Sequence, residues 1–348
     1  MTRQGGNFGK IESHIMSDAS QPLCTTPPIS VFSIVMGITG LGLTWRKAHL
    51  FYGAPPWIAE ILLFCGAILF GLFSLYSGYR LITDMPRPEQ FSIPEQLERL
   101  CFAATVPLSL LLLSAAVLPY ATQPAQWLWI AGAAMQFSLG LATMSLLIRG
   151  PHPPATLTPL LFLPLAGNLL GPVSGVPLGF AGASWLMFTT GLISWLVLLV
   201  LLFGRLVGLR AIPAEKLPAM AIFITPPALA FMAYPELNHA LIDFPGHLFF
   251  FTGLFFLLLN LAMIDRFIRI PFSIRCWSFS FPLAALAGAA FDYRAAIGSI
   301  LPSVICSLLL ALASLTIAIL AVRTLWEVAR ACKAGKTHLL PRRDAAQD

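Results

Sequence analysis

The sequence has very little charge. Only 10% of its 348 residues are Asp, Glu, Lys or Arg, whereas 57% are hydrophobic and the mean hydropathy is +0.81. Soluble domains carry about 25% charged residues, so this chain has too little polar surface to coat a water-soluble globule. The same composition excludes a disordered chain, a collagen, a coiled coil and a disulfide scaffold. A modest net charge of +6, located beside apolar runs, excludes a nucleic-acid binder.

Recognisable catalytic and metal-binding patterns are also missing. The six cysteines form no CxxC pair, and the six histidines form no HxxxH pair, so no disulfide framework or metal site is predicted. No Walker loop, GxGxxG, GxSxG or paired buried carboxylates occur. The sequence therefore predicts a protein that is not an enzyme and that has no metal and no cofactor.

What is present is a series of long apolar runs. A bilayer core needs about 20 apolar residues per helix, and the runs predict an all-α polytopic membrane protein with ten transmembrane helices. The predicted ranges are 29–49, 57–82, 100–120, 125–148, 156–176, 181–205, 217–234, 246–265, 273–291 and 296–325. Residues 28–327 form the predicted transmembrane domain, between an N-terminal tail (1–27) without an apolar signal region and a C-terminal tail (328–348).

The distribution of Lys and Arg over the predicted loops gives the orientation. With ten helices, 18 of the 21 basic residues lie on the side of both termini, and only Arg46, Lys47 and Arg294 lie on the other. Cytoplasmic loops carry the excess of basic residues. We therefore expect a multi-pass protein of the cell (inner) membrane with both termini in the cytoplasm.

Prolines mark alternate runs. They lie inside the odd-numbered runs, and the first run has glycines instead, whereas the even-numbered runs are nearly free of interior proline. Proline bends a helix and leaves a carbonyl that protein or water must satisfy within a bilayer. The alternation predicts five helical hairpins, in which the kinked odd-numbered helices form an inner ring around a central pore. Ordinary packing kinks are the alternative for any single proline.

Side chains on the odd-numbered runs give candidate pore-lining residues. They are Ser33, Gly37, Gly40, Thr44, Thr105, Pro107, Ser109, Pro164, Asn168, Pro226, Pro227, Pro282, Ala285 and Gly288. Small residues on one face are also typical of close helix packing, and Asn168 has an interhelical hydrogen bond as its alternative.

One large ring stands out on the ninth run. Phe281 lies on a stripe of small residues beside Pro282, where it is a candidate to block the pore. Its alternative is an ordinary phenylalanine that faces lipid or core. No charge lies at the centre of any run, so the predicted conduit is neutral, and weak binding is what fast conduction requires.

Four stretches carry a resemblance to a known family. They are Phe32-Ser-Ile-Val-Met-Gly-Ile-Thr-Gly-Leu-Gly42, Thr158-Pro-Leu-Leu-Phe-Leu-Pro-Leu-Ala-Gly-Asn168, Thr225-Pro-Pro-Ala228 and Trp277-Ser-Phe-Ser-Phe-Pro-Leu-Ala-Ala-Leu-Ala287. In this order, the chain from about residue 28 to 327 resembles the tellurite-resistance/dicarboxylate transporter family, which includes the bacterial TehA proteins and the plant slow anion channels.

The resemblance implies five hairpins around a pore, a homotrimer with one pore per subunit, and Phe281 as the gate. Two positions depart from TehA-like sequences, which often carry Gly at the positions of Ser33 and Pro282.

The leading hypothesis is an anion channel for small monovalent anions such as chloride and nitrate. A secondary transporter that exports C4-dicarboxylate, sulfite or tellurite-related anions is the alternative, and a membrane scaffold without flux is a third. The expected partners are small inorganic anions, the lipid bilayer and two further copies of the chain.

Overall fold

A computed structural model describes residues 28–83, 92–150, 156–208, 214–239, 242–298 and 300–333. The chain divides into two units, one formed by residues 27–317 and the other by 1–26 together with 318–348. The packing discussed below belongs to the first unit. The predicted N-terminal tail lies outside the described residues. Of the predicted C-terminal tail, residues 328–333 continue the last helix and the remainder lies outside the description.

The described secondary structure is helical throughout, and each predicted run corresponds to one helical segment, numbered here from first to tenth. The odd-numbered segments are Pro28–Val31 with Phe32–Tyr52, Ile93–Ala103 with Thr105–Val117, Pro159–Leu161 through Gly171–Gly175, Ala214–Ile224 with Thr225–Leu237, and Ile274–Phe279 with Ser280–Ile297. The even-numbered segments are Pro56–Thr83, Thr122–Ile148, Ala181–Gly208, Phe244–Ala262 and Ile300–Lys333, and the short helix Ile264–Ile268 follows the eighth.

Eight helices of the described ranges are long and apolar enough to cross a membrane, as in a polytopic membrane protein. The first and fifth segments fall outside this set. The second half of the first segment carries Arg46 and Lys47. The fifth segment, Pro159–Gly175, is short and changes between 3-10 and α-helix three times. Its prolines remove backbone donors, which prevents one continuous α-helix.

Every odd-numbered segment contains a break in the helix, and these segments also form the interior. The breaks fall at 31/32, around 104, between 161 and 171, at 224/225 and at 279/280. In the third, seventh and ninth segments, 67%, 83% and 78% of the most apolar stretch is buried. In the second, fourth, sixth and eighth segments the buried share is only 17%, 28%, 33% and 39%. The broken segments are therefore enclosed by unbroken helices with apolar outer faces.

The third segment begins seven residues before its predicted start at residue 100. Ser92 caps it, since its backbone N–H and its hydroxyl both donate to Oε2 of Glu95 at 2.8 Å. This capping box stabilises an amphipathic first turn. Hydropathy alone misses that turn because Glu95, Glu98 and Arg99 are polar.

Arg46 and Lys47 lie inside the first helix, which corrects their assignment to the loop that follows it. Arg46 forms two contacts with Glu60 of the second segment, at 2.8 and 3.0 Å. Lys47 contacts both carboxylate oxygens of Asp292 of the ninth segment, at 2.7 and 2.6 Å. These ion pairs neutralise the charges and connect neighbouring helices.

Candidate functional site

A cavity lies where the first parts of the five odd-numbered segments meet. It encloses about 510 Å³ of empty space, including the part open to solvent. Each odd-numbered segment contributes to its wall. The contributing residues are Ser30, Ser33 and Met36; Phe102 and Thr105; Leu160 and Leu163; Ile222 and Thr225; and Ile274, Arg275, Trp277, Ser278, Phe281 and Pro282. No even-numbered segment lines this cavity among the described residues.

The cavity lies at the level of the helix breaks. Ser30 and Ser33 flank the break of the first segment, Ile222 and Thr225 that of the seventh, and Ser278 precedes that of the ninth. Helix breaks of several odd-numbered segments therefore border one common space.

Phe281 is one of the residues that line the cavity. Its side chain is only 5% exposed, and it lies in the first turn of the α-helix that starts at Ser280. The hydroxyl of Ser280 donates to the carbonyl of Trp277 at 2.6 Å, which fixes the turn that carries the ring.

The ring of Phe281 packs directly against Gly40 of the first segment. A Cβ atom at Gly40 would lie 3.1 Å from Cδ2 and 3.4 Å from Cε2 of the ring. Such a distance is shorter than ordinary van der Waals contact, so the absence of a side chain at residue 40 provides the space that the ring occupies.

Two hydroxyl groups of the cavity wall donate to the backbone of their own segments. Ser33 donates to the carbonyl of Ser30 at 2.8 Å, and Thr105 donates to the carbonyl of Phe102 at 2.6 Å. A hydroxyl has a single proton to donate, so these two groups present oxygen lone pairs rather than donors. A wall of this kind binds an anion weakly, and weak binding favours rapid passage.

Four of the fifteen residues predicted for the site line this cavity: Ser33, Thr105, Phe281 and Pro282. Others form a seam between the first and ninth segments. A Cβ at Gly37 would overlap the side chain of Ser280, Thr44 donates to the carbonyl of Ala284 at 2.9 Å, and Gly288 lies beside Thr44. Ala285 is buried on the same helix.

The remaining predicted residues lie at other contacts. Ser109 donates to the carbonyl of Thr105 at 2.7 Å, and the carbonyl of Pro107 lies next to Gly132 of the fourth segment. Pro226 and Pro227 occupy the first turn of Thr225–Leu237, where proline is tolerated because the N–H groups have no helical partner.

Asn168 lies between the fourth and sixth segments. Its amide donates to the carbonyl of Leu165 in its own segment at 3.4 Å. A Cβ at Gly140 would lie 3.3 Å from this amide nitrogen and 3.0 Å from the carbonyl of Pro164, and Gly191 approaches Asn168 from the sixth segment.

Two polar residues of the fourth segment donate hydrogen bonds to backbone carbonyls of the interrupted fifth segment. Gln136 donates to the carbonyls of Leu163 and Pro164 at 2.9 and 3.2 Å, and the indole of Trp129 donates to the carbonyl of Gly171 at 2.9 Å. The need for such partners is predictable from the prolines. Their location is not, because it depends on how the fourth and fifth segments pack.

Replacing Gln136 by methionine is expected to lower the free energy of unfolding by about 1–2 kcal/mol, since two buried carbonyls lose their donor. Thermal unfolding in detergent measures the loss. Gln126→Met is the control, because its amide makes a contact of 3.4 Å with the carbonyl of Leu178 at a part-buried position. Equal losses of unfolding free energy in the two variants would show that the hydrogen bonds of Gln136 to the fifth segment do not stabilise the protein.

Arg275 is a cavity residue that sequence reasoning missed. It lies two residues before Trp277, at the start of the aromatic motif that contains Phe281, and this position was the signal that could have identified it. It is the one charged residue among the described residues that line the cavity. No group of three His, Cys, Asp or Glu side chains that could hold a metal ion lies within the described ranges.

Comparison with known proteins places this architecture among transport proteins. The family described as "SLAC1: Voltage-dependent anion channel" matches residues 27–325. The chain is 25% identical over 319 residues to the S-type anion channel SLAH3 of Arabidopsis thaliana, covering 89% of this chain and 49% of that protein. It is 29% identical over 155 residues to SLAH2 of the same plant, covering 44% of this chain and 30% of that protein.

A bacterial relative is covered more fully. The chain is 24% identical over 267 residues to the tellurite resistance protein TehA homolog of Haemophilus influenzae, covering 76% of this chain and 80% of that protein. Of the plant relatives SLAH3 and SLAH2, by contrast, the matches span half the length or less.

Proposed function

Because the chain belongs to the SLAC1 family of voltage-dependent anion channels, we propose that it conducts small monovalent anions passively across a membrane. In this proposal ten transmembrane segments form five hairpins, the broken odd-numbered segments surround a central pore, and Phe281 closes that pore. The channel is a homotrimer in the cell membrane with both termini in the cytoplasm.

The observation that carries this proposal is the cavity that all five broken segments share and that the Phe281 ring lines. A packing kink in one helix needs no counterpart in the others, whereas here the wall of one cavity includes residues beside the helix breaks of several segments. The close approach of the Phe281 ring to Gly40, where an added Cβ would lie 3.1 Å from Cδ2, supports a closed state in which the ring lies against the first segment.

The chemistry of the wall favours anions that lose part of their hydration shell easily. The wall is formed by hydroxyl oxygens, aromatic rings and aliphatic side chains, and Arg275 also lines it. It offers no carboxylate among the described residues and therefore no strong site for a cation. Selectivity among anions then follows the cost of dehydration, with nitrate favoured over chloride.

A coupled carrier is the second candidate, and it has one specific observation in its favour. The relative with the largest covered share of its own length is named for tellurite resistance rather than for channel activity. A carrier that exports C4-dicarboxylate, sulfite or tellurite-related anions would bind its substrate more tightly than a wall with a single charged side chain suggests.

Reversal potentials of the Phe281→Ala protein in planar bilayers distinguish these possibilities. With a chloride gradient we expect a reversal potential close to the equilibrium potential of chloride. When nitrate replaces chloride on one side, we expect the reversal potential to shift in the direction that shows a higher permeability for nitrate than for chloride. Large organic cations on both sides serve as the control for cation leak. Saturating, proton-dependent uptake into liposomes without current would favour the carrier instead.

A further inference from the structure

One charged side chain lines the cavity. Arg275 occupies the 3-10 turn Ile274–Phe279, six residues before Phe281, and its side chain is 40% exposed. It lines the same space as Ser30, Ser33 and Ser278. Arg275 therefore lines the same cavity as Phe281.

The ion pair that Arg275 makes is loose. Its Nη2 lies 3.3 Å from Oε1 of Glu98, whose side chain is 30% exposed. By comparison, Arg46 holds Glu60 through two contacts of 2.8 and 3.0 Å and also donates to the carbonyl of Ala116 at 2.7 Å. Part-exposed pairs with a single long contact contribute little to stability, so another anion can replace the carboxylate of Glu98.

Two neighbouring hydroxyls have their protons engaged, whereas the guanidinium keeps donors for an anion. Ser33 and Thr105 donate their protons to backbone carbonyls. A guanidinium has five N–H donors in a planar arrangement, more than the contact with Oε1 of Glu98 uses.

We propose that Arg275 binds the permeating anion at the entrance to the cavity and that the Glu98 carboxylate competes with this anion for the guanidinium. The ligand is a small inorganic monovalent anion, such as chloride or nitrate. The inference rests on the proposed function and adds to it an entry site that sets the rate of anion supply to the pore.

Conductance in the Phe281→Ala background tests the site. Arg275→Gln is expected to lower conductance about threefold at low ionic strength, and the difference shrinks as salt screens the charge. Glu98→Gln is expected to raise conductance and to lower the chloride concentration at half-saturation. Arg275→Lys keeps the charge and restores most of the conductance at low salt.

The matched control removes the same charge elsewhere. Arg330 lies in the last helix with 62% of its side chain exposed, and it pairs with Glu327 at 3.9 Å. Arg330→Gln should leave conductance unchanged. Equal effects of Arg275→Gln and Arg330→Gln, or a lower conductance in Glu98→Gln, would overturn the proposal. If Arg275→Gln does not fold, the Arg275→Lys and Glu98→Gln variants decide the question.

A binding measurement separates this site from the channel function. Protein with the native Phe281 is titrated with sodium nitrate in detergent at constant ionic strength, and the midpoint of thermal unfolding is recorded. We expect nitrate to raise the midpoint in the native protein and not in Arg275→Gln, while an equal response of both proteins sinks the inference. Absence of anion current in Phe281→Ala would refute the proposed function but leave this binding result to decide the site.

Discussion

Replacing Phe281 by alanine is expected to raise anion conductance by at least about tenfold. The ring lines the cavity and is only 5% exposed, and in the proposed function it closes the pore. An apolar constriction excludes water, so an anion that crosses it loses part of its hydration shell. Each reduction of about 1.4 kcal/mol in that barrier multiplies the flux by ten. Single-channel recording in planar bilayers, with symmetrical chloride, measures the change.

A graded series separates gating from damage to the fold. Phe281→Leu keeps most of the apolar volume and should give an intermediate conductance. Phe279→Ala is the control, because Phe279 lies two residues away and packs against the ring of Phe267 at 5.1 Å instead of lining the cavity. A folded Phe281→Ala protein with conductance no higher than that of Phe279→Ala would refute the gate.

The sequence was sufficient to locate the helical segments because an apolar run of sufficient length has few other stable states in a membrane protein. It also indicated which segments are broken, since prolines and glycines act locally on the backbone. The polar first turn of the third segment was missed for the opposite reason. Its helix depends on the capping box of Ser92 and Glu95 rather than on hydropathy.

Contacts between distant segments were not predictable from one sequence. Gly37 and Gly40 share one stripe of the first segment, yet one packs on the Ser280 side chain and the other on the Phe281 ring. From the stripe alone, both glycines are predicted to line the pore. Arg275 and Glu98 are 177 positions apart, so their pairing depends on the assembled fold.

The second large effect is expected at Gly40, through its contact with Phe281. Gly40→Ala places a methyl group 3.1 Å from Cδ2 of the ring and 3.4 Å from the Cβ of Ala284. Because Ala284 belongs to the same helix as Phe281, the methyl group displaces the ring from the first segment. We expect a severalfold increase in anion conductance for Gly40→Ala and a larger one for the bulkier Gly40→Val.

The sign of this effect should reverse when the ring is absent. In the Phe281→Ala background, a side chain at residue 40 no longer displaces a gate and instead occupies the space that the ring vacates. Gly40→Val should therefore lower the conductance of Phe281→Ala, which makes the two substitutions strongly non-additive. Gly71→Val is the control, because a Cβ at Gly71 meets no atom within 4 Å. Additive effects of Gly40→Val and Phe281→Ala would show that the ring does not close against the first segment, since only a direct contact between residue 40 and the ring produces a change of sign.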